Sequence, residues 1–188
     1  FDRTEKESLN SLVDLLDKNL KGVDLHSRFD KQIIEEKKRM ERLSKIQIGK
    51  LGELLVQQKL LEFGIDSSAL TTDSGIDLVG LIDDRVIKIQ VKTCLENKPA
   101  GGRGRAALDW YVPVDCPADY FAAVHYAERE VWLFSISDLE NLAMDGVCQK
   151  TNENYHLSMY IQKNSAAKKV LSRSDYSWAE FDSVIEAL

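Results

Sequence analysis

Four polar side chains in this 188-residue chain occupy positions where the surrounding pattern calls for apolar ones: Glu53, Asp77, Gln90 and Lys92. Asp77 interrupts Gly75-Ile76-Asp77-Leu78-Val79-Gly80, a segment too apolar to hold a carboxylate without a partner or a cation. Downstream, Val86-Ile87-Lys88-Ile89-Gln90-Val91-Lys92-Thr93 alternates strictly. That sets Lys88, Gln90 and Lys92 on one face of a strand and Ile87, Ile89 and Val91 on the other. With Asp83-Asp84 as a two-residue turn, the two segments form a hairpin that carries Asp77 toward the level of Gln90 and Lys92. An acid, an amide oxygen and an ammonium group then converge in one small volume.

Charge along the chain agrees with such a site. The total is −6, from 25 Lys and Arg against 31 Asp and Glu, which on its own disfavours a phosphate polyanion as partner. The sum conceals segregation. Residues 51–84 carry one basic and seven acidic side chains, whereas residues 85–105 carry Arg85, Lys88, Lys92, Lys98, Arg103 and Arg105 against the single Glu96. An acidic cluster followed by a basic one suits a site that holds a cation and a polyanion together; two ordinary solvated faces are the alternative.

The elements that position these residues follow from periodicity. Thr4 with Glu7 has capping-box form ahead of a helix over 5–20, a second helix spans roughly 28–44, and a third runs from about 45 to 63, ended by Gly64. The period then changes to that of sheet: strands are expected at 76–82, 85–94, 108–114, 119–126 and 130–136, with one more over 156–161. Ser137 with Glu140 opens a short helix, and Ser177 with Glu180 caps a last one ending near residue 188. Residues 95–107 combine Pro, Gly and basic side chains and read as a mobile loop. This organisation is an α/β core over 45–144, with a helical extension at 1–44 and a C-terminal extension at 145–188 packed on the core.

At 44% hydrophobic and 30% charged residues the composition is that of one soluble globular domain. No apolar run approaches the roughly 18 to 20 residues that a membrane span requires. No charged segment leads into an apolar run at the start, so a cytoplasmic protein is expected, and a chain beginning at Phe1 fits one trimmed or cut from something longer. Cys94, Cys116 and Cys148 are odd in number and widely spaced, which argues for buried thiols over disulfides or zinc; His26, His125 and His156 are as scattered.

The motif residues resemble the PD-(D/E)XK nuclease superfamily, whose signature is an aspartate on one strand and an acid-x-lysine on the next. Here it stands as Gly75-Ile76-Asp77-Leu78-Val79 and Ile89-Gln90-Val91-Lys92-Thr93. Gly49-Lys50-Leu51-Gly52-Glu53 looks like the family's Gly-x-x-Gly-Glu helix, its two glycines letting the helix backbone approach the sheet while Glu53 points in. Residues 119–124 followed by 130–134 look like the later hairpin of Holliday-junction-resolvase-like and intron-encoded homing endonuclease members. The resemblance covers roughly residues 45–140. It implies a restriction-endonuclease-like core, with a central mixed β-sheet flanked by helices.

What the resemblance implies for function is a metal-dependent DNA endonuclease. Asp77, the Gln90 side-chain oxygen and the Val91 carbonyl would hold Mg²⁺, with Mn²⁺ substituting, and Glu53 would contribute directly or through water. Lys92 would orient or help deprotonate the attacking water. Lys88, Lys98, Arg103 and Arg105 are candidates to bind DNA phosphates, and Lys37, Lys38, Arg39, Arg42 and Lys45 form a second candidate face. Cutting both strands takes two active sites, so a homodimer or larger homo-oligomer is expected.

Gln90 departs from the pattern, since the usual residue there is Glu or Asp, and one negative charge is lost from the metal site. Some homing endonucleases carry Gln here too. The competing readings are a nuclease-fold module that binds DNA or protein without cleaving, and a purely structural domain. Glu53 paired to Lys50 on a solvated helix, and Lys92 paired to Asp77, are the inert alternatives for those residues. Trp110, Tyr111, Tyr120 and Trp132 fall in strand patterns and read as core rather than as platforms for bases.

Overall fold

A computed structural model describes residues 11, 25–72, 74–99, 106–160 and 173–188. The expected helix over 5–20 lies outside the described residues apart from Ser11, as do Arg103, Arg105 and most of the expected loop. The chain divides into two compact units, 1–44 and 45–188. In the first, α1 spans Leu25–Glu41, and Lys38, Arg39 and Arg42 are exposed; the side chain of Lys37 lies outside the described residues.

The second unit opens with α2, Lys45–Glu62. Gly64 ends it at a φ of +73°, where a side chain would be strained, and Ile65 N–H reaches back to the Leu60 carbonyl. There follow β1 (Asp66–Ala69), β2 (Leu78–Ile82), β3 (Arg85–Cys94), β6 (Tyr120–His125) and β7 (Glu130–Ser135), which form one sheet in the order β1-β2-β3-β6-β7. All its neighbours are antiparallel except β3 and β6, which run parallel. The sheet is therefore mixed, with helices against it, as the sequence predicts.

A second sheet was not expected. The short strands β4 (Lys98–Pro99) and β8 (Gln149–Lys150) flank β5 (Ala106–Pro113) and β9 (Asn154–Tyr160) in the order β4-β5-β9-β8. Thus part of the expected loop is a two-residue ladder, Lys98 opposite Ala107 and Pro99 opposite Ala106. The alternation of Tyr155, Leu157 and Met159, all buried, marks β9 as a half-covered strand.

Side-chain alternation on the central sheet feeds two cores. Ile87, Ile89, Val91, Ala122, Val124 and Leu133 pack beneath Leu55, Val56 and Leu60 of α2 and Phe181 of α4 (Phe181–Glu186). Phe121, Ala123, Trp132 and Phe134 face the other way, onto Leu108, Trp110, Val112, Leu157 and Met159 of the second sheet. Leu139 of α3 (Ile136–Met144) and Tyr176 of the 3₁₀ segment Arg173–Ala179 close that second core. The result is helix, sheet and sheet in layers, with the β3 strand buried between them.

Two caps differ from the sequence expectation. Ser135 rather than Ser137 caps α3, accepting from Asp138 N–H while Asp138 accepts from Ser135 N–H at 2.7 Å. At the last helix Glu180 is the cap and its side chain makes no capping bond, because Ser177 belongs to the preceding 3₁₀ turn.

Candidate active site

The site lies where the β2–β3 ladder ends. Leu78 opposes Ile89, so Asp77 stands one residue past the last pair, opposite Gln90 in register. The expected strand over 76–82 thus begins two residues later, which frees Asp77 from the ladder while its own N–H still bonds the Ile89 carbonyl at 3.0 Å. Gly75, two residues upstream, has a φ of +79° and lies against the Pro117 ring, where an added Cβ would come within 2.9 Å. This backbone turn delivers Asp77 to the strand.

Asp77 Oδ2 accepts a 2.7 Å hydrogen bond from the Val91 N–H. In a strand the N–H and C=O of one residue project to the same side, so the Val91 carbonyl points toward Asp77 as well. Gln90 is only 3% exposed, a rare burial for an amide, and its Oε1 accepts from the Cys116 thiol at 3.4 Å. Cys116 also reaches the Gly75 carbonyl at 3.7 Å. Burial pushes the Cys116 thiol up; the Lys92 charge opposes that shift while Asp77 and Asp115 add to it. Lys92, half-buried on β3, is therefore an electrostatic neighbour of the same cluster. Asp77, Gln90, Val91 and Lys92 are brought together.

Glu53 sits elsewhere in its bonding. On α2 it pairs with Lys50, Nζ to Oε2 at 2.7 Å, with the Lys50 and Glu53 side chains 52% and 21% exposed. At the adjacent Gly52 the helix backbone comes against the sheet, and a Cβ there would clash with Thr93 Oγ1, one residue beyond Lys92. Gly49 has open space around it. Only one of the two glycines is thus needed for the approach, which corrects the expectation for Gly49.

Among the candidate DNA contacts, Lys88 is tied to Asp119, Nζ to Oδ1 at 3.5 Å, while its N–H donates to Asp119 Oδ2 at 2.8 Å. Lys98 and Lys45 line a cleft of about 360 Å³ with Ile48, Thr93, Cys94, Leu95, Glu96, Ala107 and Asp109. Trp110 and Trp132 are buried, Tyr120 is half-buried, and Tyr111 is exposed, so for Tyr111 the core expectation was wrong.

Cys116 is the site residue that sequence reasoning missed. It lies in the connection from β5 to β6 with no periodic or spacing signal, and only the fold carries it to Gln90. Among the described residues no group of three or more His, Cys, Asp or Glu forms a metal cluster. The oxygens present, one Asp77 carboxylate oxygen outside the Val91 bond, the second lone pair of Gln90 Oε1 and the Val91 carbonyl, are hard donors on one side of a site. That set suits a Mg²⁺-type ion, which keeps waters and takes substrate phosphate for the remaining positions. It does not suit zinc, which favours thiolate and imidazole in a closed shell.

No family model matches the chain, and no curated protein matches it significantly. Among solved structures it is similar to a bacterial homing endonuclease, I-Ssp6803I, with a TM-score of 0.52 at 14% identity, covering 77% of this chain and 90% of that one. It is also similar to Hjc, a Holliday junction resolvase from Archaeoglobus fulgidus, with a TM-score of 0.45 at 16% identity, covering 73% and 95%. At these identities the likeness is one of fold, and the chain has the mixed α/β fold of the homing endonuclease.

Proposed function

We propose that the chain is a metal-dependent DNA endonuclease of the PD-(D/E)XK type. The observation that carries the reading is the convergence of Asp77, Gln90 and the Val91 backbone at the end of β2, beside Lys92. The fold shared with a homing endonuclease supports it.

In this reading Asp77, Gln90 Oε1 and the Val91 carbonyl hold a Mg²⁺ or Mn²⁺ ion, with Glu53 joining them by releasing Lys50 or through a water. Such an ion, when bound, polarises the phosphoryl oxygen and eases deprotonation of water. The chain's own groups do the rest. The Val91 N–H holds the Asp77 carboxylate in one orientation, so no reorganisation is needed when charge develops. Lys92 orients the attacking water and offers its ammonium to the phosphate. Lys98 and Lys45, with Lys88 as it exchanges Asp119 for phosphate, grip the strand on either side. Arg103 and Arg105 are assigned the same role from the sequence. Cutting both strands calls for two such sites, hence a homodimer or larger assembly.

The test is cleavage of supercoiled plasmid, linear duplex, single strands and a four-way junction with Mg²⁺, Mn²⁺ or EDTA, with Lys92→Ala run alongside. Cutting that needs metal and is lost in Lys92→Ala is expected. Cutting in EDTA, or by Lys92→Ala at the native rate, would overturn the mechanism.

A further inference from the structure

The outer face of the second sheet carries an aromatic surface that the proposed chemistry does not use. Ala107, Asp109 and Tyr111 alternate onto that face of β5, opposite Leu108, Trp110 and Val112 in the second core. The register sets Asp109 beside Ser158 and Tyr111 beside His156, so all four side chains stand together. The Tyr111 and His156 rings stack with centroids 4.3 Å apart and planes 6° from parallel. Asp109 Oδ1 lies 3.0 Å from His156 Nε2 and also accepts a hydrogen bond from Ser158 Oγ, which fixes the imidazole. Tyr111 nevertheless stays 57% exposed. A ring held flat against an anchored neighbour and left open to solvent loses little rotamer freedom when another ring stacks on it.

The same face of β5 leads into the cleft through Ala107 and Asp109. Lys45 and Lys98 line it, and α2 begins at Lys45 with no acidic side chain in its first turn, so the positive helix end adds to the two ammonium groups. Glu96 and Asp109 also line it, the Asp109 carboxylate turned to His156 and Ser158 by their hydrogen bonds. An exposed aromatic ring beside a cleft that carries two lysines and a helix N-terminus matches a nucleic acid strand whose bases and phosphates are both accessible.

We propose that Tyr111 stacks an unpaired nucleobase while Lys45 and Lys98 hold the adjoining phosphates, so that the preferred DNA carries unstacked nucleotides beside the point of cutting. The inference rests on the nuclease reading and narrows its substrate. Inside a continuous duplex both faces of each base are already stacked; a single-stranded stretch or a branch leaves one free.

The test reads binding rather than cleavage: fluorescence anisotropy in EDTA with a labelled 16-nucleotide single strand and with the same sequence as duplex. The proteins are the native chain, Tyr111→Phe and Tyr111→Ala, each checked for folding by circular dichroism. The native chain is expected to prefer the single strand, Tyr111→Phe to match it within about twofold, and Tyr111→Ala to lose about tenfold, the worth of one base stack. Binding of the single strand by Tyr111→Ala within twofold of native, or tighter native binding to duplex, would overturn the proposal. Since no cutting is measured, that result leaves the nuclease reading standing, and an absence of cleavage elsewhere leaves the stacking site standing.

Discussion

The Asp77 carboxylate and the Val91 amide are joined across the end of the β2–β3 ladder by a 2.7 Å hydrogen bond. A carboxylate that accepts from a backbone N–H is held without a flexible side-chain partner, and its second oxygen keeps a fixed direction. The bond stands where the next β2–β3 pair would be, while β3 runs on to Cys94 through its parallel pairing with β6. In the proposed function the same short stretch of β3 supplies Gln90, the Val91 carbonyl and Lys92 beside Asp77.

Gln90→Glu tests the proposed donor set at the position where the motif it resembles carries Glu or Asp. A carboxylate at a position 3% exposed is costly without a cation, so the variant is expected to be less stable than native in EDTA by about 1–3 kcal/mol. Added Mn²⁺ should return more stability to the variant than to the native chain. Thermal unfolding with and without metal reads this, and a variant indifferent to Mn²⁺ would place Gln90 outside the metal site.

Cys116 is expected to orient the Gln90 amide. Its thiol donates to Oε1, so Cys116→Ser, which keeps a donor, should retain most activity, and Cys116→Ala should raise the metal concentration needed for half-maximal cleavage several-fold. Metal titrations of the two variants measure the difference. Identical titration curves for Ala and Ser would show that the thiol does not position the amide.

Gly52→Ala and Gly49→Ala separate a packing glycine from an ordinary one. At Gly52 the new methyl would clash with Thr93 Oγ1, and a loss of about 1–3 kcal/mol is expected, with activity falling because Thr93 adjoins Lys92. At Gly49 nothing lies within 4 Å, so alanine should stabilise the helix by up to about 1 kcal/mol. Urea denaturation of both variants checks the contrast.

Alkaline pH should weaken the fold through its buried thiol. Burial pushes Cys148 up to about 11, whereas the unfolded chain releases that proton near 9.0. The stabilisation is therefore complete below pH 9 and is lost as pH rises toward 11, at about 1.4 kcal/mol per pH unit. Tyr176, raised by burial in the same core, adds a further loss above pH 10. Urea midpoints should fall from pH 9, and Cys148→Ala should make that fall shallower, the thiols of Cys94 and Cys116, also raised by burial, keeping the rest of it. An unchanged slope in that variant would contradict the assignment.

Much of the central sheet was legible because its signals are local. The strict alternation of 86–93 and the turn at Asp83-Asp84 were enough to set Asp77 opposite Gln90, and Gly64 marked the end of α2. The second sheet was not legible, since β4 and β8 are two residues each and gain their order from β5 and β9, far away in sequence. Tyr111 shows the same limit: alternation says that it faces opposite to Trp110, but which face of β5 is covered depends on where the central sheet packs. Cys116 reaches Gln90 by a tertiary approach that no spacing encodes. Within the described residues no helix is long and apolar enough to cross a membrane. The expected cytoplasmic setting remains a sequence reading.

The most direct measurement of the central claim is the rate of Mn²⁺-dependent nicking of supercoiled plasmid by the native chain and by Asp77→Asn, which preserves side-chain size while removing the charge. The account predicts nicking by the native chain and a loss of at least about 100-fold in the variant, on the scale of losing a preorganised electrostatic contact. Nicking by Asp77→Asn at the native rate would contradict it.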